Sequence, residues 1–162
     1  MNKNTRIKLN DGLTMPVVAL GVWQSHEGTK NAVLTALKNG YRHIDTAAVY
    51  HNEKAVGEAI KESGIPRNEI FVTSKVAAEA KSYESAAASI DETLSKMGLD
   101  YIDMMIIHSP QPWAEFRVEK RYFEENKEVW RALEDAYTAG KVKAIGVSNF
   151  FTRRFRKYSC RL

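Results

Sequence analysis

The 162-residue sequence has one cysteine, Cys160. That count excludes a disulfide framework and a cysteine-based zinc site, and no metal is expected. No apolar run approaches the roughly 18 residues that a membrane-spanning helix needs. The opening Met1-Asn2-Lys3-Asn4-Thr5-Arg6 lacks the apolar stretch of a secretory leader. The expectation is a cytoplasmic protein with no membrane partner. Glycine is scarce where one common cofactor motif needs it. Ala19-Leu20-Gly21-Val22-Trp23 has a single glycine, whereas the dinucleotide fingerprint of doubly wound folds has three.

The end of the chain combines basic residues with no acid. Five of the 24 basic groups (Arg153, Arg154, Arg156, Lys157 and Arg161) lie in residues 151–162, which hold no acid. The first 150 residues therefore carry 19 basic against 20 acidic groups, and the net charge of +4 comes from the tail. A nucleic-acid partner would rest on that tail alone, and none is expected, because a charged terminus is ordinarily just solvated. With 44% hydrophobic residues, the composition fits one globular domain with a sizeable core.

The rest is a regular alternation. Ile7-Lys8-Leu9 and Leu13-Thr14-Met15 flank Asn10-Asp11-Gly12, a hairpin signal, with Pro16 as a stop. Val17 to Val22 is an apolar run that reads as a strand buried on both faces. Helical spacing over 28–39 and 52–63 is closed by Gly40 and by Gly64 with Pro66. Strands are expected at 41–46 and 70–73. A helix with only a fair cap at Ser82 should end at Gly98, followed by a strand at 102–107, a helix at about 121–139 and a strand at 142–147. Strand followed by helix, joined by short Gly-containing links, is the pattern of a parallel sheet. A doubly wound open sheet and a (β/α)₈ barrel both fit this periodicity.

Polar groups gather at the carboxyl ends of these strands, the edge where parallel α/β folds build sites. Asp45 ends the second strand, Lys75 the third, His108 the fourth and Ser148-Asn149 the fifth, and Tyr50 follows in a loop. Each has a structural alternative: Asp45 as a helix cap, Lys75 as a surface lysine, His108 as a core histidine and Tyr50 as a packing aromatic. Their coincidence at one edge argues for chemistry. A charge at the end of an apolar strand is costly unless paired, and Asp45 and Lys75 are natural partners. An ammonium beside a phenol is expected to lower its pKa, making Tyr50 a general acid, while a neutral His108 orients a carbonyl. Such a set suits carbonyl reduction by an imported hydride donor.

These residues also stand in recognisable motifs. Gly40-Tyr41-Arg42-His43-Ile44-Asp45-Thr46-Ala47, with Tyr50, Asn52-Glu53 and Gly57, resembles the first signature of the aldo-keto reductases. Lys143-Ala144-Ile145-Gly146-Val147-Ser148-Asn149-Phe150 resembles their mid-chain signature, and Leu99-Asp100-Tyr101-Ile102-Asp103 running into Ile107-His108 is similar too. The resemblance covers residues 5 to 150. It implies a (β/α)₈ barrel closed at the bottom by the 7–15 hairpin. It also implies a catalytic tetrad of Asp45, Tyr50, Lys75 and His108, and NADPH bound extended. Gly21, Val22, Trp23, Asp45, Ser148 and Asn149 would contact the cofactor. Trp23, Tyr50, His108 and Trp113 would face a small carbonyl substrate. Two segments depart from the family's pattern. Ser109 stands where many members have Trp, with Trp113 arriving later, and Val76-Ala77-Ala78 replaces a segment with Leu or Trp.

A barrel of this kind needs about 250 residues. The expectation here is an incomplete barrel of about five strands with an N-terminal hairpin. Residues 1–150 would form its N-terminal part and residues 151–162 a basic tail foreign to the family. A frameshift after residue 150 would explain that tail, and sequencing the gene tests it. The strands lacking would carry the ring that stacks on nicotinamide and the cations that hold the 2′-phosphate. The alternative function is therefore a catalytically inactive fragment, prone to self-association through open sheet edges.

Overall fold

A computed structural model of the chain describes residues 5–10, 12–116 and 119–150. Asp11 of the predicted turn and the whole 151–162 tail lie outside the described residues. Strands β1 (Arg6–Lys8) and β2 (Thr14–Pro16) form the predicted hairpin, in register Arg6↔Pro16. Then come β3 (Leu20–Gly21), α1 (Thr29–Lys38), β4 (His43–Asp45), α2 (Glu53–Glu62), β5 (Phe71–Val76), α3 (Tyr83–Met97), β6 (Met104–Ile107), α4 (Phe123–Thr138) and β7 (Ile145–Val147).

The five strands β3 to β7 pair in chain order, and every pair is parallel. This order decides between the two candidate architectures. A doubly wound sheet reverses strand order at a switch point, whereas a barrel adds each strand beside the last. The described sheet is thus part of a (β/α)₈ barrel, with β3 and β7 at its edges.

Apolar faces of the helices cover one side of this sheet. Val33 and Leu37 of α1, Val56, Ala59 and Ile60 of α2, Ile90 and Met97 of α3, and Val129, Ala132 and Leu133 of α4 join Ile44, Val72, Val76, Met105 and Ile107 in one core. Each fully buried Leu or Ile contributes about 1.5–3 kcal/mol. Helix α2 approaches α3 so closely that a Cβ on Gly57 would lie 1.9 Å from the Met97 carbonyl oxygen. Gly57 therefore sets the distance between the two helices.

Local chemistry explains the boundaries, including those that differ from expectation. The Val17–Val22 run is not a strand buried on both faces: β3 has two residues, and Val17, Val18 and Leu20 are only half-buried. The backbone there is bending from the hairpin into the sheet, a tertiary demand that periodicity does not encode. Ser82 is a better cap than its sequence suggests. Its hydroxyl accepts from the Ser85 N–H, and the Ser85 hydroxyl accepts from the Ser82 N–H, a complete capping box. Gly98, at φ +61°, closes α3 in the left-handed conformation that glycine adopts without strain. At the amino ends of the strands, buried His43 ties the hairpin to the sheet. Its Nδ1 lies 3.0 Å from the Pro16 carbonyl and its Nε2 2.9 Å from the Thr73 hydroxyl. Burial pulls its pKa below the ordinary value, which suits a neutral ring shared between a carbonyl acceptor and a hydroxyl.

Candidate active site

Strand alternation decides which side chains meet. In β5, Val72 and Val76 join the core under the helices, and Ser74 faces the same way, donating to Glu53 of α2 at 2.9 Å. Thr73 and Lys75 therefore face the barrel interior. In β4, Ile44 is in the core, so His43 and Asp45 point inward. In β6, Met105 and Ile107 are in the core, which leaves His108 on the inner side. One parity rule brings Asp45, Lys75 and His108 to the same face at the carboxyl end of neighbouring strands.

Lys75 is 7% exposed. Its Nζ donates to Asp45 Oδ1 at 2.6 Å and to the Thr46 carbonyl at 2.7 Å. An ammonium so deeply placed needs both partners, since burial of a lone charge is prohibitive. Tyr50 reaches the pair from a 3₁₀ turn, Ala48–Tyr50, with its ring centroid 5.1 Å from Lys75 Nζ. The rings of Tyr50 and His108 are 5.8 Å apart and nearly perpendicular, and Trp113 meets His108 edge-on at 5.1 Å.

The phenol behaves differently from the sequence expectation. Burial first, and the Asp45 carboxylate second, hold the Tyr50 pKa above its ordinary value. Burial disfavours the charged phenolate and the nearby carboxylate repels it, so the neighbouring ammonium does not set the direction. At neutral pH Tyr50 is therefore fully protonated. His108 is pushed the other way, down to about 4, by burial and then by the Lys75 charge. Its Nδ1 is buried without a hydrogen-bond partner. An orphaned N–H is rarer and costlier than an unmet lone pair, so the neutral ring carries its proton on Nε2.

The structure places the remaining predicted residues as follows. Gly21 pairs with Asp45 across β3 and β4 and is exposed. Val22 is buried in the core, and its N–H donates to the Asp45 carbonyl at 3.1 Å. Trp23 is 67% exposed. Ser148 follows β7 and its N–H donates to the Ile107 carbonyl at 2.8 Å. Asn149, at φ +63°, donates through Nδ2 to the His108 carbonyl at 2.8 Å and to the Ser148 hydroxyl at 3.1 Å. No group of three or more His, Cys, Asp or Glu converges as a metal site among the described residues.

Two residues of the first signature, Asn52 and Glu53, have no role assigned from the sequence. Asn52 accepts from the Thr46 hydroxyl at 2.8 Å and donates to the Val22 carbonyl at 2.8 Å, tying the loops after β3 and β4 together behind Asp45. Glu53, 2% exposed, accepts from Ser74 and Thr93 and bridges α2, β5 and α3. Its spacing from Val56 and Ile60 puts it on the buried stripe of α2, a signal present in the sequence but masked by its charge.

A parallel barrel sheet whose carboxyl edge gathers a lysine–carboxylate pair, a protonated phenol and a neutral imidazole defines a barrel protein equipped for proton chemistry. The chain belongs to the aldo/keto reductase family, whose sequence model matches residues 18–161. It is 49% identical over 148 residues to the oxidoreductase YtbE of Bacillus subtilis, covering 88% of this chain and 49% of that protein. It is 45% identical over 146 residues to the glyoxal reductase of the same organism, covering 89% of this chain and 49% of the relative. Among solved structures, the Bombyx mori aldo-keto reductase in complex with NADP matches with a TM-score of 0.83 at 37% identity, over 94% of this chain and 53% of that one. The chain thus spans about half the length of the relatives it matches.

Proposed function

We propose that this chain carries the reaction centre of an NADPH-dependent reductase that converts small aldehydes or ketones to alcohols. The observation that carries the reading is the cluster itself, with the Lys75–Asp45 pair, the Tyr50 phenol and the Nε2–H of His108 converging at one strand edge. The His108 Nε2–H donates to the substrate oxygen and fixes the carbonyl beside Tyr50. As negative charge builds on that oxygen, the Tyr50 hydroxyl transfers its proton to it, giving the alcohol and a phenolate. Lys75 lies close enough to stabilise the phenolate, and Asp45 keeps the ammonium in place. Solvent then returns the proton.

The hydride comes from the cofactor, which when bound supplies it to the carbonyl carbon. The residues present fit its nicotinamide end. A carboxamide needs both a donor and an acceptor, and the Ser148 hydroxyl and Asn149 amide offer both beside His108. The small carbonyls accepted by relatives, glyoxal among them, support the substrate class.

The test is titration of the purified 162-residue chain with NADPH, followed by quenching of its three tryptophans, and then assay of carbonyl-dependent NADPH oxidation. Saturable quenching is expected, with turnover that Tyr50→Phe lowers by at least about two orders of magnitude, the span of general acid catalysis, while circular dichroism stays unchanged. A folded chain without saturable quenching would leave the tetrad with no hydride source and overturn the cofactor part of the reading. Full turnover by Tyr50→Phe would overturn the role of the phenol.

A further inference from the structure

The loop after β6 is one of the two segments where this chain departs from its family's pattern, with Ser109 directly after His108 and Trp113 further on. Its path is held from outside. Lys81, half-buried in the connection between β5 and α3, donates through Nζ to the Ser109 carbonyl at 3.0 Å and to Asn126 Oδ1 at 3.1 Å. Asn126 is 1% exposed on α4 and passes the restraint on, donating to the Pro110 carbonyl at 2.8 Å and the Tyr122 carbonyl at 2.7 Å. From the same connection, Glu79 Oε1 accepts the Trp113 N–H at 3.3 Å. At the end of this path the Trp113 ring stands against His108.

Placing a cation here is costly. Burial pulls the Lys81 pKa down to about 8, against the opposing pull of Glu79 and Glu125. Both of its hydrogen-bond acceptors are uncharged. An apolar side chain of similar length would avoid burying a charge but would leave the Ser109 carbonyl and Asn126 Oδ1 without this donor. What the ammonium adds is direction: three donors on one flexible stem, two of them committed to a loop backbone and the residue that anchors it.

We propose that Lys81 is a positioning residue that holds the Ser109 carbonyl and thereby sets Trp113 against His108, fixing the size and aromatic character of the carbonyl the site accepts. The part concerning substrate rests on the reductase reading above; the part concerning the loop does not.

Two readouts keep these parts separate. In a Trp23→Phe, Trp130→Phe background, Trp113 is the sole tryptophan and is excited selectively over the seven tyrosines. Lys81→Met keeps the length of the stem and removes the donors. Losing a charge-assisted hydrogen bond shifts local opening by roughly tenfold, so acrylamide quenching of Trp113 should rise clearly, and Lys81→Arg should restore it. Unchanged quenching in Lys81→Met overturns the proposal whether or not the chain turns over carbonyls. If Lys81→Met does not fold, Lys81→Gln, shorter and uncharged, is read in its place with the same expected direction.

The second readout is kinetic. KM for a bulky aromatic aldehyde should rise about tenfold in Lys81→Met, with kcat for a small aliphatic dicarbonyl unaltered. Trp113→Ala should give the same rise, and the double variant no further one, because the lysine acts through the tryptophan. Additive effects, or an equal loss with both substrates, would overturn the role in specificity. A wild-type chain with no turnover at all would sink the reductase reading, and the quenching result would still decide whether Lys81 holds the loop.

Discussion

Gly57→Ala is the sharpest test of the packing behind the site. On helix propensity alone the change should stabilise, since alanine is favoured over glycine in a helix interior by about 1 kcal/mol. The structure reverses the sign. The new Cβ would lie 1.9 Å from the Met97 carbonyl oxygen and 2.6 Å from two Met97 backbone carbons. Non-bonded contacts settle at about 3.5 Å, so α2 and α3 must part by about 1.6 Å. Overpacking of this kind costs about 1–3 kcal/mol. The same movement stretches the bond from Thr93 of α3 to Glu53 of α2, now 2.9 Å, beyond hydrogen-bond range. A lost bond to a charged acceptor adds about 1.5–3 kcal/mol. After the propensity gain, a net destabilisation of roughly 1.5–5 kcal/mol remains. Denaturant unfolding followed by circular dichroism measures it. Gly28→Ala, whose Cβ would meet nothing within 4 Å, serves as the control and should stay within about 0.5 kcal/mol. A Gly57→Ala chain as stable as the parent would refute the close approach of the helices.

The buried imidazole of His108 makes stability depend on acid. Its folded pKa of about 4 lies below the ordinary value, so the unfolded chain takes up a proton first as pH falls. The contribution of the neutral ring is complete above about pH 6.5 and fades between there and pH 4, a loss of about 3 kcal/mol. His108→Asn should flatten that part of the pH–stability curve, and superimposable curves for the two chains would contradict the depressed pKa. Asn52→Ala should cost about 1–3 kcal/mol, because the Thr46 hydroxyl loses its acceptor and the Val22 carbonyl a donor. A thermal melt unchanged from the parent would show that the two loops behind Asp45 do not depend on that knot.

Much of this arrangement was legible in the sequence, for reasons that can be named. Glycines beyond α1, α2 and α3 mark the helix ends because left-handed or unstrained exits favour them. The apolar stripes of α2 and α3 match their buried faces because helix–sheet packing leaves little freedom. Asp45, Lys75 and His108 were readable because each ends an apolar run of fixed parity. The shortness of β3 was not, since its backbone answers to the hairpin and not to its own side chains. Nor was the direction of the Tyr50 pKa, which burial sets first and the Asp45 carboxylate second. Lys81 left no trace at all, because its partners Ser109 and Asn126 lie 28 and 45 residues away.

The in-order strands have a consequence for how the chain reaches this state. Register partners sit at nearly even distances along the polymer: His43 and Phe71 are 28 residues apart, Thr73 and Met104 31, and Met105 and Ile145 40. Closing a loop costs only about 0.6 kcal/mol more for each doubling of its length. Every strand therefore joins at almost the same entropic cost, and none waits for a distant partner. Asp45, Tyr50, Lys75 and His108 all fall between the last residue of β4 and the residue directly after β6. Two such closures bring them together, so the proposed proton-handling cluster is gathered within 64 consecutive residues, 45 to 108.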